Sequence, residues 1–374
     1  MPAYTHRERV LRTIQHQPID RIPMDMMGNA TMLLDRTYLR LCDHLKLTPI
    51  PPFRSGSTAN YYDERILEYF DIDFRRIWLK SSPSVKKTVF EDGSYEDAWG
   101  IRYQIDGLFV TPVGFPLQKA ATVEEIEAHP WPAAEDIFSA AGLTEEAKHL
   151  YNHSDYALVA RNPLTLGLFD RACALMGNAE FMMALAGSPA VAQTLLDHLL
   201  TFYLDVYRMF LDAVGPYVQM IEYGDDLGGQ QNMLISPAMY RHFLKPAEKA
   251  LCDLMRSKAP GAMLFRHNDG NIFKIIPDLI EIGVNVLNPV QTSAKDMDGR
   301  RLKENFGNSL TFHGGIESME ATPDELRSEI IERIDIFAPG GGYIFASCNH
   351  MIDVPPENII LMFETTREYG VYKS

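Results

Sequence analysis

The chain has 374 residues, 46% apolar and 23% charged, the ordinary balance of a soluble globular protein with room for one large domain or two small ones. Its 35 basic residues against 50 acidic ones leave a formal charge of −15. That excess argues against nucleic acid and anionic membrane surfaces as partners, because both draw on clustered Lys and Arg.

The opening stretch "MPAYTHRERVLRTIQHQP" has no apolar core and so does not read as a secretory signal. No run of about 18 apolar residues follows to span a membrane. The first candidate strands are Ile22–Met26 and Phe74–Leu79. After them, residues 85–131 break the pattern with turn signals at Asp92-Gly93 and Asp106-Gly107, which read as a β-hairpin inserted after the second strand. Further candidates are Ala157–Arg161, Tyr217–Tyr223, Ala262–His267, Val284–Leu287, Leu310–Phe312 and Tyr343–Ala346. Runs that are apolar throughout suit parallel strands covered on both faces.

Helices with legible starts lie between them. Ser188-Pro189 and Ser236-Pro237 place an N-cap before a first-turn proline, and Thr322-Pro323 adds Glu325 as a capping box. Eight strands alternating with helices predict a (β/α)8 TIM barrel, with a doubly wound open sheet as the alternative. Nothing marks a linker, so one domain is expected over residues 1–374. The scattered cysteines Cys42, Cys173, Cys252 and Cys348 suit reduced thiols in a cytoplasmic protein.

A barrel carries its chemistry at the carboxyl ends of its strands. The third candidate ends in Arg161-Asn162, and the fourth in "EYGDDLGGQQ", with Glu222, Tyr223, Asp225, Asp226 and Gln230. The fifth runs into "HNDG", where His267 and Asp269 are two apart and so face the same way in an extended chain. The sixth offers Asn288 and Gln291, the seventh His313-Gly314-Gly315, and the eighth "ASCNH" with Cys348 and His350. Each has a plain structural alternative: Asp269-Gly270 as a turn, Asp225-Asp226 as a helix approach, His313 as a core histidine, Cys348 as a small buried hydrophobe. Their convergence on one rim argues for a functional site. A histidine, a carboxylate and a cysteine form an acceptable Zn²⁺ ligand set, and the thiolate favours zinc over magnesium or calcium. There is no CxxC, HExxH, GxSxG or Walker loop, and the glycines at 340–342 precede a strand instead of a helix.

The stretches "GDDLG", "ISPAMYRHFLKP", "HNDGNIFKIIPDLIEIGVNVLNPVQ", "LKENFGNSLTFHGGIES" and "PGGGYIFASCNHMIDVPPENI" resemble, in this order, the uroporphyrinogen decarboxylase superfamily. That group includes porphyrinogen decarboxylases and zinc-dependent methyltransferases linked to cobalamin. The resemblance covers most of residues 217–372, with weaker matches such as "DRIP", "DIDFRRI" and "DAWGI" before it. The decarboxylases carry an arginine-rich RQAGR motif after the first strand. Here that place reads "PMDMMGNATMLLD", with no basic residue between Arg21 and Arg36, and burying many substrate carboxylates without positive partners is costly.

The methyltransferases instead show His-x-Cys after the fifth strand and a lone cysteine after the eighth. By that likeness His267, Asp269 (in place of the middle cysteine) and Cys348 are the expected zinc ligands. Glu222, Asp225 and His313 are the expected catalytic groups, and Arg161, Asn162, Tyr223, Asn288 and Gln291 the expected substrate contacts. The implied activity moves a methyl group between a small substrate, such as a methoxylated compound, amine or thiol, and a corrinoid on a partner protein. A metal-free decarboxylase and a non-catalytic binding barrel are the alternatives. Dimers frequent in the superfamily imply a homodimer.

Overall fold

The computed structural model describes residues 4–54 and 58–372; the other positions of the expected 1–374 domain lie outside the described residues. Seven of the eight apolar runs form parallel strands: β1 (Phe74–Ile77), β2 (Ala157–Ala160), β3 (Met220–Gly224), β4 (Met263–His267), β5 (Val286–Asn288), β6 (Thr311–Ile316) and β7 (Tyr343–Ser347). Each hydrogen-bonds to the next in sequence, with pairs such as Phe74↔Ala157, Val159↔Met220 and Phe312↔Tyr343. A doubly wound sheet reverses its strand order part-way. This one does not reverse, and it curls.

The expected first strand, Ile22–Met26, is a correction. It forms a single bridge, Met24 to Phe345, because Pro23 has no N–H to give to a ladder and Met27 turns the chain at φ 59°. The segment still touches both edges of the sheet. Phe345 donates to the Pro23 carbonyl and Asp25 to the Phe345 carbonyl, both at 2.9 Å, while Asp73 donates to the Met24 carbonyl at 3.0 Å.

Residues 85–131 also depart from expectation. Where a hairpin was expected, Thr88–Val89, Tyr95–Glu96, Arg102–Asp106 and Phe109–Gly114 form a four-stranded antiparallel sheet. Of the helix starts, the Thr322–Glu325 capping box and the Ser236 cap are present, whereas Ser188 precedes its helix without a side-chain cap bond. No helix among the described residues is long and apolar enough to cross a membrane.

Strand periodicity sorts the interior into layers. Phe74, Val159, Met220, Phe265 and Val286 form a small apolar core with Val10 and Ile14 of the N-terminal helix His6–Ile14. Two residues further along the same strands, or just past the end of β2, stand Arg76, Arg161, Glu222, His267 and Asn288. Residues of opposite parity meet the helices. Buried Arg266, for example, bonds Glu248 at 2.7 Å.

Asp73 fastens the amino-terminal end. Fully buried, it accepts bonds from His6 Nδ1 (2.8 Å), Arg9 (2.7 Å), Arg21 (2.7 Å) and the Met24 amide (2.8 Å). Burial alone would raise its pKa, but these donors together hold it below the usual carboxylate value. Asp73→Asn is expected to cost about 2 kcal/mol at pH 7. A depressed native pKa contributes stability above the unfolded value of about 3.9 and loses it as pH falls through the native one. The gap between wild type and variant in urea unfolding should therefore narrow at pH 3, and an unchanged gap would refute the role of charge.

Candidate functional site

Above the apolar layer runs a connected polar chain. Arg76 grips Asp25 with both terminal nitrogens, at 2.6 and 2.5 Å, and lies 3.2 Å from Glu222 Oε1. Asp25 Oδ2 is 2.8 Å from His313 Nε2, His313 Nδ1 is 2.8 Å from Asn288 Nδ2, and Asn288 Oδ1 is 2.7 Å from His267 Nδ1. Asp25, Arg76, Glu222 and His313 have side chains no more than 1% exposed.

The directions of these bonds fix one another. Burial would raise the Asp25 pKa, but Arg76 above all, then His313, holds it well below the usual carboxylate range. Asp25 therefore accepts, and His313 donates from Nε2. The Asn288 amide nitrogen faces His313 Nδ1 and donates to it, so the amide oxygen faces His267. His267 then carries its proton on Nδ1 and presents the bare Nε2 to the mouth.

That nitrogen faces two carboxylates, Asp226 Oδ1 at 3.7 Å and Asp269 Oδ2 at 3.9 Å. Asp226, His267 and Asp269 are, among the described residues, the one cluster of three with metal-ligating groups in mutual reach, all within 4.8 Å. Gly224 makes room for it, since a Cβ there would lie 2.8 Å from His267 Cβ. Asp226 Oδ1 accepts the Asp269 amide at 2.9 Å, and Gln291 Oε1 accepts the Gly270 amide at 2.9 Å, pinning the turn in which Gly270 takes φ 76°. Asp269 Oδ1 is buried without a hydrogen-bond partner. Burial, with the charges of Asp226 and Glu317, pushes the Asp269 carboxyl up against the pull of His267.

An orphaned carboxylate oxygen, a second carboxylate and an imidazole oriented through its far nitrogen fit a divalent cation. Cys348, expected as the third ligand, lies outside this cluster. It is fully buried, its Sγ is 3.2 Å from the Val290 carbonyl, and burial pushes the thiol well above its ordinary pKa. Without it the set has no thiolate, and the softness that favoured zinc over harder cations disappears.

Other expected site residues have structural duties. Asp225 points away from the mouth and accepts the Phe169 and Asp170 amides at 2.6 and 3.0 Å, capping the helix Leu168–Met176. Tyr223 faces the helix layer, its hydroxyl 3.4 Å from Cys252 Sγ. Asn162 caps its own turn, its Oδ1 accepting from the Leu164 amide at 3.0 Å and the Tyr207 hydroxyl at 3.2 Å. Glu222 is sealed between Arg76 and Arg161, and His313 is engaged on both nitrogens. Both position the site from beneath it.

Arg161 does reach the mouth. Its Nε lies 3.4 Å from Glu222 Oε2, close enough for an ion pair but misaligned for a hydrogen bond. Its guanidinium is 5.2 Å from the Trp78 ring centre, and that of Arg54 is 5.3 Å from the same ring. Crowding at the mouth and the charges of Arg161, His267 and Arg54 push the His350 imidazole below its ordinary value. Sequence reasoning missed Asp25, Arg54, Arg76 and Trp78, and noted Asp226 without assigning it a role.

Residues 163–369, more than half of the chain, match the family described as uroporphyrinogen decarboxylase (URO-D). A uroporphyrinogen decarboxylase from Psychromonas ingrahamii is 29% identical over 192 residues, covering 49% of this chain and 50% of that protein. The match thus spans about half the length of that relative. A solved methyltransferase from Methanosarcina mazei superposes with a TM-score of 0.69 over 98% of this chain and 99% of its own, at 17% identity. At that identity the likeness is one of fold, and it extends the TIM-barrel-like architecture to the N-terminal half.

Proposed function

The chain belongs to the uroporphyrinogen decarboxylase family, and we propose that within it the protein is a metal-dependent methyltransferase. In this reading it moves a methyl group between a small substrate and a corrinoid carried by a partner protein. The observation that carries the reading is the Asp226–His267–Asp269 cluster, with its imidazole fixed through Asn288. These three residues would hold the metal, which when bound supplies a Lewis acid that makes a substrate heteroatom a better leaving group or nucleophile. The protein's own contribution is orientation. Asn288 keeps the His267 proton on Nδ1, and Gln291 and Asp226 hold the turn that carries Asp269. Zinc remains the proposed ion, although one imidazole and two carboxylates also suit manganese or iron.

A second reading, decarboxylation without metal, draws on the half-length match to a decarboxylase and on the raised proton affinity of Asp269, which suits a proton donor. Metal analysis of the purified protein, paired with an assay of methyl transfer to reduced cobalamin, separates the two. About one metal ion per chain and transfer abolished by chelation are expected. A metal-free protein that stays metal-free in excess zinc, manganese or iron would refute the methyltransferase and leave the decarboxylase.

A further inference from the structure

The chain is strongly acidic, yet the wall around Trp78, which with His267 borders His350, is basic. Arg54 and Arg161 both stand over Trp78. Arg54 also lies 5.1 Å from the Phe53 ring centre, and Phe53, Trp78 and Tyr62 contact one another at 5.1 to 6.3 Å. Donors outnumber acceptors here. Trp78 Nε1 and Arg161 Nε are buried without hydrogen-bond partners. Arg54 uses Nε and Nη2 on a single carbonyl, that of Ala59, at 2.8 and 2.6 Å. No carboxylate among the described residues lies within ion-pair distance of Arg54, and Glu222, the partner of Arg161, is shared with Arg76. Burial and the neighbouring Arg161 charge lower the pKa of Arg54 to about 10, the mutual repulsion that an anion between them would relieve.

We propose that the substrate is a flat molecule bearing a carboxylate, which Arg161, Arg54 and the Trp78 N–H bind against the aromatic wall. Its reacting end then lies toward His267. Two guanidiniums suit a carboxylate because its paired oxygens accept from more than one N–H at once, and three aromatic rings favour a planar skeleton over an aliphatic one. The proposal rests on the mouth being the active site, as in the proposed function, and does not depend on which reaction occurs there.

Benzoate and its neutral isostere benzamide are the probes, and calorimetric titration of the purified chain is the measurement. Benzoate is expected to bind at least tenfold tighter than benzamide, with an affinity that falls as salt rises. Arg54→Gln and Arg161→Gln should each weaken benzoate by roughly tenfold and leave benzamide unchanged. Arg54 is half-buried at the edge, so its variant is informative even if the more buried Arg161→Gln fails to fold. Equal affinity for both probes, or benzoate binding unmoved in Arg54→Gln, overturns the proposal. Because the titration needs no methyl transfer, benzoate binding without transfer activity refutes only the reaction, and transfer activity without benzoate binding refutes only the substrate class.

Discussion

Replacing Arg76 with methionine is expected to cost about 3–5 kcal/mol of folding stability, read by urea unfolding, although the residue lies beneath the mouth. Arg76 bonds both oxygens of Asp25 and lies 3.2 Å from Glu222, and none of these three side chains is more than 1% exposed. Its removal leaves two buried carboxylates with Arg161 as the remaining cation, and Arg161 lies on the Glu222 side. Burial would then drive the Asp25 pKa upward, where Arg76 now holds it down. The cheapest relief is for Asp25 to lose its charge or to hold His313 as imidazolium. An imidazolium donates from both nitrogens and so conflicts with the Asn288 amide, and the disturbance travels to His267. Adding Asp25→Leu should therefore recover part of the lost stability, the two changes being less than additive. An Arg76→Met variant within 1 kcal/mol of wild type would contradict this electrostatic picture.

How much of this was legible in the sequence turns on strand parity. The parity rule joined His267 to Asp269, and the structure does place them together at the mouth. Carried back one strand, the same rule puts Glu222, Gly224 and Asp226 on the inner side and Tyr223 and Asp225 on the outer. That is where they lie, with Asp225 on a helix N-terminus and Tyr223 against Cys252. The same parity thus turns Asp226, and not Asp225, toward His267. Arg76 is two residues beyond Phe74, but a strand reading "FRRI" does not announce that both of its arginines are buried, with Arg76 on Asp25 and Arg75 on Glu64. Its partner Asp25 sits in a Met-rich run that does not form a strand. Trp78 directly follows β1 but carries no motif, Arg54 belongs to no strand, and only the contact of Arg54 and Phe53 with the Trp78 ring reveals their meeting. Cys348 follows the last residue of β7, where the alternation stops predicting direction.

Asn288 supplies the second large effect. Asn288→Leu keeps the branched shape, with bulkier methyl groups, but removes both the acceptor for His267 Nδ1 and the donor to His313 Nδ1. The His267 ring then has no fixed tautomer, and its proton can sit on Nε2, the nitrogen aimed at Asp226 and Asp269. Loss of such an outer hydrogen bond lowers metal affinity by roughly 10–100-fold in proteins where ligands are set this way. The same fall is expected here, measured by competing the protein against a chelator for zinc or cobalt. His267→Ala should abolish binding at the same concentrations. Cys348→Ser reports on the ligand set: affinity unchanged is expected if Asp226 completes the cluster, whereas a loss as deep as that of His267→Ala would return the cysteine to the metal. A normal affinity in Asn288→Leu would mean that packing, and not this hydrogen bond, holds the imidazole. In that case His313, Asp25 and Arg76 would serve the stability of the layer and have no part in the chemistry above it.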